Sequence, residues 1–101
     1  MKVFKKIYEI VRQIPKGKVT TYGWVAVRLG NSGTVRVVGN ALHQNPDPKN
    51  IPCHRIVDRT GRLAANYGFG GWREQKRKLL AEGVKFKGKT CVDLEKYLVK
   101  L

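Results

Sequence analysis

Helix-breaking residues divide the first half of this chain into three short segments, and this spacing constrains the fold more than any other feature. Pro15 ends the first segment, Gly30-Asn31-Ser32-Gly33 ends the second and Asn45-Pro46-Asp47-Pro48 ends the third. Proline lacks the N–H that a helix interior requires, and it disfavours the helical conformation of the residue before it. The pattern therefore predicts three short helices joined by turns.

Each of the three segments carries apolar residues at helical spacing. The face of the first helix collects Val3, Phe4, Ile7, Ile10, Val11 and Ile14. The second helix is predicted from about Tyr22 to Leu29, capped by the side-chain oxygen of Thr20 or Thr21. The third is predicted over about 34–43. Its inward residues are Val35, Val38 and Leu42. Two short helices joined by a glycine-containing turn predict a helix-turn-helix, whose second helix meets DNA.

The second half predicts a small β-hairpin and one further long helix. Ile56-Val57 and Arg62-Leu63 flank the turn sequence Asp58-Arg59-Thr60-Gly61, which is typical of a hairpin. A helix is predicted from Trp72 to Glu82, with Gly83 as its C-terminal stop.

The length of 101 residues fits one domain with a modest core. A short terminal helix or strand is predicted over residues 92–98. The predicted fold class is therefore mainly α with a small β-hairpin, a winged helix-turn-helix-like single domain over residues 1–101.

The charge balance indicates the class of partner. There are 21 Lys and Arg residues against 7 Asp and Glu, a formal net charge of +14. Such an excess favours a polyanion, and nucleic acid is the commonest one. The alternative is a highly solvated surface or adaptation to a hot habitat.

The expected compartment is the cytoplasm. The chain has no run of about 18 apolar residues, so no membrane span is expected. Its basic, amphipathic N-terminus does not resemble a signal peptide. Two cysteines without a secretion signal, Cys53 and Cys91, are expected to be free thiols.

The pentapeptide Pro52-Cys53-His54-Arg55-Ile56 carries the clearest chemical signal. A thiol reacts as its thiolate, and neighbouring cations favour that form. An imidazole and a guanidinium directly follow Cys53, so the sequence suggests a nucleophilic thiol beside nucleic acid. Adjacent Cys and His residues suit shared tetrahedral ligation poorly, so no metal site is expected.

Several motifs in a fixed order resemble a known family. They are Lys16-Gly17-Lys18-Val19-Thr20-Thr21-Tyr22-Gly23, Arg36-Val37-Val38-Gly39, Asn45-Pro46, Ile51-Pro52-Cys53-His54-Arg55-Ile56-Val57 and Glu82-Gly83-Val84. This pattern resembles the DNA-binding, active-site domain of the O6-alkylguanine-DNA alkyltransferases (methylated-DNA–protein-cysteine methyltransferases). The resemblance extends from about Phe4 to Leu98.

The chain departs from that family in two ways. Classical members carry an additional N-terminal domain, and none is expected here, as in the short alkyltransferase-like proteins. Those proteins replace the cysteine with tryptophan or alanine, whereas this chain retains Cys53. In addition, Leu63-Ala64-Ala65-Asn66-Tyr67 has alanines where the family often has glycines.

The resemblance implies transfer of an alkyl group from O6 of guanine to the sulfur of Cys53. His54 is then the general base, acting through a bound water, and Glu82 orients its imidazole. Asn45 fastens the turn that holds Cys53, and Tyr22 donates a hydrogen bond to the departing guanine. No residue in view regenerates the alkylated cysteine, so the resemblance implies a single-turnover reaction without a cofactor.

The resemblance also implies a DNA surface and a base pocket. The alkylated base must be flipped out of the stack, and Arg36 matches the family's arginine finger. Small residues on the third helix allow close approach to the minor groove. The remaining residues assigned to DNA are Tyr22, Thr34, Gly39, Asn40, Ala41 and Arg55. The alkylguanine pocket is assigned to Tyr67, Gly68 and Ile56.

Three functions therefore follow from the sequence, in this order of preference. The first is a monomeric alkyltransferase that repairs O6-alkylguanine in double-stranded DNA. The second is a non-catalytic lesion sensor that recruits other repair proteins. The third is a helix-turn-helix regulator with an incidental cysteine, which would bind a specific sequence, usually as a dimer.

Overall fold

The computed structural model describes residues 2–30, 35–64 and 67–100, and it is mainly helical, as predicted. Its elements are α1 (Lys2–Val11), β1 (Thr20–Thr21), α2 (Tyr22–Leu29), α3 (Val35–His43), a 3₁₀ turn (Cys53–Arg55), β2 (Ile56–Val57), α4 (Gly71–Ala81) and α5 (Leu94–Tyr97). No helix of these residues is long and apolar enough to cross a membrane.

Local signals set the ends of α2 as the sequence predicts. Thr21 is the N-cap, and its Oγ1 accepts a hydrogen bond from the backbone N–H of Trp24 at 3.2 Å. Gly30 ends the helix at φ 94°, in the left-handed region that glycine enters without steric cost. The predicted helix boundaries, Tyr22 and Leu29, are confirmed.

The first helix ends earlier than its apolar pattern suggests. After Val11 the backbone tightens, because Gln13 and Ile14 donate to carbonyls three residues back, at 3.0 and 3.1 Å. Such tightened turns are common at helix ends. Ile14 still reaches the core and is 1% exposed. The apolar face therefore continues beyond the α-helix.

Helices α1, α2 and α3 enclose the larger of two apolar cores, into which Cys53 and Tyr67 also project. Its fully buried members include Ile7, Val11, Val25, Ala26, Val38, Ala41 and Ile56. Val35 differs from its predicted inward position and is 43% exposed, since it begins the helix at the edge of the core.

The short sheet differs from the predicted hairpin in its pairing. The turn itself is present: the N–H of Asp58 donates to the carbonyl of Arg62 at 3.0 Å. However, β2 pairs in parallel with β1, with Thr20 opposite Ile56 and Thr21 opposite Val57. The partner of β2 thus lies 36 residues earlier, and α2 and α3 form the crossover that parallel strands require.

Arg62, in turn, pairs in an antiparallel bridge with Cys91. The residues that follow them in the chain, Leu63 and Val92, belong to the second apolar core, which consists of Val19, Val57, Leu63, Leu79, Val84, Val92 and Tyr97. The tail forms the helix α5, and its Leu98 forms a parallel bridge with Val19. Strand β2 consequently joins both cores, with Ile56 in the first and Val57 in the second.

Candidate active site

A cavity of about 300 Å³ lies between α3 and the segment that carries Cys53. Its lining residues are Tyr22, Gly39, Leu42, His43, Cys53, Ala64, Tyr67, Gly68 and Gln75. The structure therefore brings the predicted nucleophile together with Tyr22 at the start of α2 and with two of the three predicted pocket residues, Tyr67 and Gly68.

A buried asparagine braces the turn that carries Cys53. The Nδ2 of Asn45 donates to the carbonyl of Ile51 at 2.8 Å, and its Oδ1 accepts from the N–H of Asp47 at 2.9 Å. Asn45 is 6% exposed, so these hydrogen bonds satisfy polar atoms that water does not reach. The brace holds Cys53, itself only 5% exposed, against the cavity.

The carboxylate of Glu82 holds both His54 and Arg55. The Nε2 of His54 lies 2.9 Å from Oε2 of Glu82, and Arg55 donates through Nε and Nη2 to the two carboxylate oxygens at 2.9 and 2.7 Å. The Nη1 of Arg55 donates to the carbonyl of Ile14 at 2.8 Å. All three nitrogens of the guanidinium are thus engaged within the protein.

This geometry gives Arg55 a role other than the DNA contact that the sequence predicts. Its side chain is 16% exposed and forms a two-pronged pair with Glu82, the arrangement in which arginine binds a carboxylate most firmly. Arg55 therefore fixes Glu82, which in turn fixes the imidazole of His54.

Burial governs the protonation of Cys53 and His54. It raises the pKa of the Cys53 thiol, although the side chains of Asn45 and Tyr67 and the charge of Lys78 act in the opposite direction. Burial likewise lowers the pKa of His54, although the contact with Glu82 opposes this. The resting pair is therefore a neutral thiol and a neutral imidazole.

The neighbouring carboxylate stays ionised. Burial favours the protonated form of Glu82, but hydrogen bonds from Arg55 and His54 outweigh it and lower its pKa. An ionised carboxylate can only accept hydrogen bonds, so the Nε2 of His54 carries the proton and donates a hydrogen bond to Glu82. In a neutral imidazole the other nitrogen, Nδ1, then has a free lone pair. That Nδ1 is buried and has no hydrogen-bond partner among the described residues.

Two further predicted residues lie in the core. Ile56, assigned to the alkylguanine pocket, is fully buried in β2 and is not part of the cavity lining. Ala41, assigned to DNA, is also fully buried, and its carbonyl accepts from the hydroxyl of Tyr8 at 2.7 Å. Neither residue has exposed surface in this structure with which to touch a base or a phosphate, so the geometry does not support these two assignments.

The other residues assigned to DNA lie on or near α3. Arg36 and Asn40 are exposed on its surface, while Gly39 faces the cavity. A Cβ at Gly39 would meet nothing within 4 Å, so the helix leaves open space at this point. Thr34 lies outside the described residues.

Comparison with known proteins decides the family. Residues 2–84 match the family model described as 6-O-methylguanine DNA methyltransferase, DNA binding domain. The chain belongs to this methyltransferase family. A solved structure has the same fold as this chain: S. pombe Atl1, in complex with damaged DNA containing O6-carboxymethylguanine, matches with a TM-score of 0.87 and 30% identity, over 99% of this chain and 96% of that one.

Curated relatives of this methyltransferase-family chain carry several kinds of name. A DNA base-flipping protein of Escherichia coli K12 is 38% identical over 92% of this chain and 70% of its own length. A methylated-DNA–protein-cysteine methyltransferase of Haemophilus influenzae is 45% identical over 73% of this chain. The match spans only 40% of the latter protein.

Sequence reasoning missed Gln75, which ties the site of this family member together. Its Nε2 donates to the carbonyls of His54 at 3.1 Å and Ile56 at 2.9 Å, and its Oε1 accepts from the N–H of Ala64 at 3.0 Å. Gln75 is fully buried on the same face of α4 as Leu79, one turn later. A polar residue at helical spacing from a buried leucine was the available signal.

The cavity lining includes further residues that were not assigned to the pocket from the sequence, namely Leu42, His43 and Ala64. His43 ends α3, and a Cβ at Gly68 would approach its ring to 3.6 Å. The described part of the chain brings together no group of three His, Cys, Asp or Glu side chains that could hold a metal ion.

Proposed function

We propose that this protein transfers an alkyl group from O6 of guanine in double-stranded DNA to the sulfur of Cys53, once per molecule. The observation that supports it most is the position of Cys53 at a cavity, directly before an imidazole that Glu82 orients from 2.9 Å. A nucleophile, a base and an orienting carboxylate form the triad arrangement that activates weak nucleophiles.

The reaction is a displacement at a saturated carbon. The thiol proton passes to Nδ1 of His54, directly or through water, and the sulfur lone pair forms the S–C bond. The C–O6 bond breaks and its electron pair remains on guanine. Guanine takes up one proton, so that overall the thiol proton replaces the alkyl group. Tyr22 lines the cavity, and burial raises its pKa, so it stays protonated and can donate to the departing base.

The proposed substrate is a base flipped out of duplex DNA. Base-specific chemistry at O6 requires the base to leave the stack, and the cavity is the place that would receive it. The exposed Arg36 on α3 would fill the gap in the duplex. Lysine and arginine side chains of the +14 chain would contact phosphates and make binding strongly dependent on salt.

One observation favours a second function, that of a lesion sensor. Burial raises the pKa of Cys53, so at neutral pH the sulfur carries its proton and is a poor nucleophile. Atl1, which matches almost the whole chain, was solved bound to damaged DNA. A sensor would bind O6-alkylguanine without transfer. A monomeric state, a cytoplasmic location and other repair proteins as partners remain predictions.

Analysis of the DNA after the reaction distinguishes a transferase from a sensor, because only a transferase removes the methyl group. A duplex with O6-methylguanine inside a restriction site resists cleavage, and transfer restores the site. We expect the number of restored duplexes to equal the number of protein molecules added. Tight binding to the methylated duplex with no restored sites would replace the transferase by the sensor.

The arginine has its own test. Arg36→Ala should slow transfer from duplex DNA by about tenfold or more, in line with the few kcal/mol that unstacking a base costs. The matched substrate is free O6-benzylguanine base, which needs no flipping. Equal slowing on both substrates would remove Arg36 from the flipping step.

A further inference from the structure

Lys78 differs from its neighbours Lys76 and Arg77 on α4 in the direction of its side chain. Lys76 donates to the carbonyl of Lys89 on the surface, and the exposed Arg77 pairs with the partly exposed Glu74. The Nζ of Lys78 instead donates to the hydroxyl oxygen of Tyr67 at 2.9 Å. This contact connects α4 with the cavity, since Tyr67 is part of the cavity lining.

Two aromatic rings hold the ammonium group in place. The Nζ of Lys78 lies 5.2 Å from the ring centroid of Tyr67 and 5.8 Å from that of Phe69. The two rings pack edge to face, with centroids 5.6 Å apart. Contacts between a cation and aromatic rings at these distances are attractive. The lysine is therefore held by its hydrogen bond to Tyr67 beside the ring of Phe69 and is not a freely solvated side chain.

The chemistry of the two groups decides which of them donates. An ammonium group has three donors and no acceptor, whereas a phenol has one proton and an oxygen that accepts. The oxygen of Tyr67 must therefore accept from Lys78, and its single proton is left for another acceptor. Tyr67 is 8% exposed, so few water molecules can take that proton.

The sulfur of Cys53 is an acceptor in the same cavity. Cys53 and Tyr67 both line this cavity, and the Tyr67 side chain acts to lower the pKa of the Cys53 thiol, which favours the thiolate. We propose that Lys78 is a positioning residue that directs the Tyr67 hydroxyl proton toward the Cys53 sulfur and thereby activates the nucleophile. This inference rests on the proposed function, because it assigns a role at the same sulfur.

The charge of Lys78 acts in the same direction as its hydrogen bond. It lowers the pKa of Cys53 and also opposes protonation of His54. The titratable groups whose charges or hydrogen bonds couple to the thiol are Tyr8, Tyr22, Tyr67 and Lys78, and His54 follows it in the chain. The three tyrosines all have a raised pKa and stay neutral near physiological pH, so Lys78 is the fixed cation among them.

Alkylation of the thiol by iodoacetamide tests the inference without DNA. The rate is measured against pH by mass spectrometry in a Cys91→Ser background, where Cys53 is the one thiol. We expect Lys78→Met to slow alkylation near neutral pH by about tenfold, the effect of one charge-assisted hydrogen bond, and to displace the rate profile toward higher pH. Lys78→Arg retains a positive charge and hydrogen-bond donors at this position. Its alkylation rate should therefore be within about threefold of that of the unsubstituted lysine.

Tyr67→Phe separates a relay from a general charge effect. If Lys78 acts through the hydroxyl, Tyr67→Phe slows alkylation to a similar degree, and the double variant is little slower than either single one. Effects that multiply in the double variant would overturn the inference, as would an unchanged pH profile in Lys78→Met. If Lys78→Met does not fold, Lys78→Gln takes its place in the single and double variants, because it also removes the charge of the ammonium group.

Lys76→Met is the matched control, because it removes the same charge from the same helix. It should alter the alkylation rate by less than about twofold, since its contacts are on the surface. An equal loss of alkylation rate in Lys76→Met and Lys78→Met would mean that only the net charge of the protein matters. That result would overturn the positioning role of Lys78. A protein whose Cys53 reacts normally with iodoacetamide but never with alkylated DNA would refute the transferase and leave the relay intact.

Discussion

The turn that carries Cys53 and the extended segment that carries Cys91 place the two thiols of this chain in opposite surroundings. Cys53 is buried beside a cavity and precedes a histidine that is held by a carboxylate. Cys91 is partly exposed, and its sulfur lies against the backbone carbonyls of Thr60 and Val92 at 3.3 and 3.7 Å. The more accessible thiol is thus the one without ionisable partners in these contacts.

This comparison teaches that exposure and reactivity are separate properties. Burial by itself raises the pKa of Cys53 and disfavours its thiolate. What distinguishes Cys53 is a pair of neighbouring groups that stabilise the charges developing in the reaction. They are the oriented imidazole of His54, whose Nδ1 has no hydrogen-bond partner within the described part of the chain, and the ammonium group of Lys78. Preorganised groups of this kind stabilise a transition state more than a ground state.

Removing each of the two thiols in turn gives the largest expected difference in the rate of alkyl transfer. Cys53→Ala should abolish alkyl transfer entirely, while Cys91→Ser should leave the rate within about twofold, as a surface change away from the site. Transfer is followed with a duplex that carries a radiolabelled methyl group. Radiolabel on the Cys53→Ala protein would contradict this expectation and mean that another residue accepts the methyl group.

Removing the proposed general base, His54, is expected to give the next largest loss in the rate of alkyl transfer. His54→Ala should slow transfer by about 10²–10⁴-fold, the usual contribution of a positioned general base. Its effect should shrink at high pH, where more of the thiol ionises without assistance. A single-turnover rate profile from neutral to alkaline pH measures both features, and a pH-independent loss would argue against the base.

The carboxylate that serves Cys53 should also stabilise the fold. Glu82→Gln is expected to lower the free energy of unfolding by about 2 kcal/mol near neutral pH, since it leaves Arg55 with an uncharged partner. Because the folded pKa of Glu82 is lowered, its contribution is present above the unfolded pKa of about 4.3 and is lost as pH falls through the folded value.

Denaturant titrations of both proteins at neutral and acidic pH check this expectation. The difference between wild type and Glu82→Gln should narrow in acid. A difference that stays constant down to low pH would mean that the carboxylate stabilises the site by shape and not by charge.

The parts of the fold that depend on neighbouring residues could be predicted from the sequence. The bounds of α2 follow from the Thr21 cap and Gly30. The turn at 58–61 is recognisable, but the partner of β2 is not, because pairing with Thr20-Thr21 depends on how three helices pack. Sequence spacing carries no information on a contact that forms only after the chain has folded back.

The site shows the same division. The Cys53-His54 pair stands out as a motif, whereas Arg55 in a chain of net charge +14 resembles one more contact for DNA. Only the structure reveals that it pairs with Glu82, 27 residues later. Lys78 was hidden in the same way within the run Lys76-Arg77-Lys78, since a charge run does not indicate which member turns inward.

The most direct test of the central claim is the mass of the protein after reaction. The chain is incubated with duplex DNA that contains O6-methylguanine, and intact-protein mass spectrometry is followed by peptide mapping. We predict a stoichiometric gain of one methylene mass, located on the peptide with Cys53 and absent from the peptide with Cys91. An unchanged mass in a protein that binds the methylated duplex preferentially would contradict the claim and identify a lesion sensor.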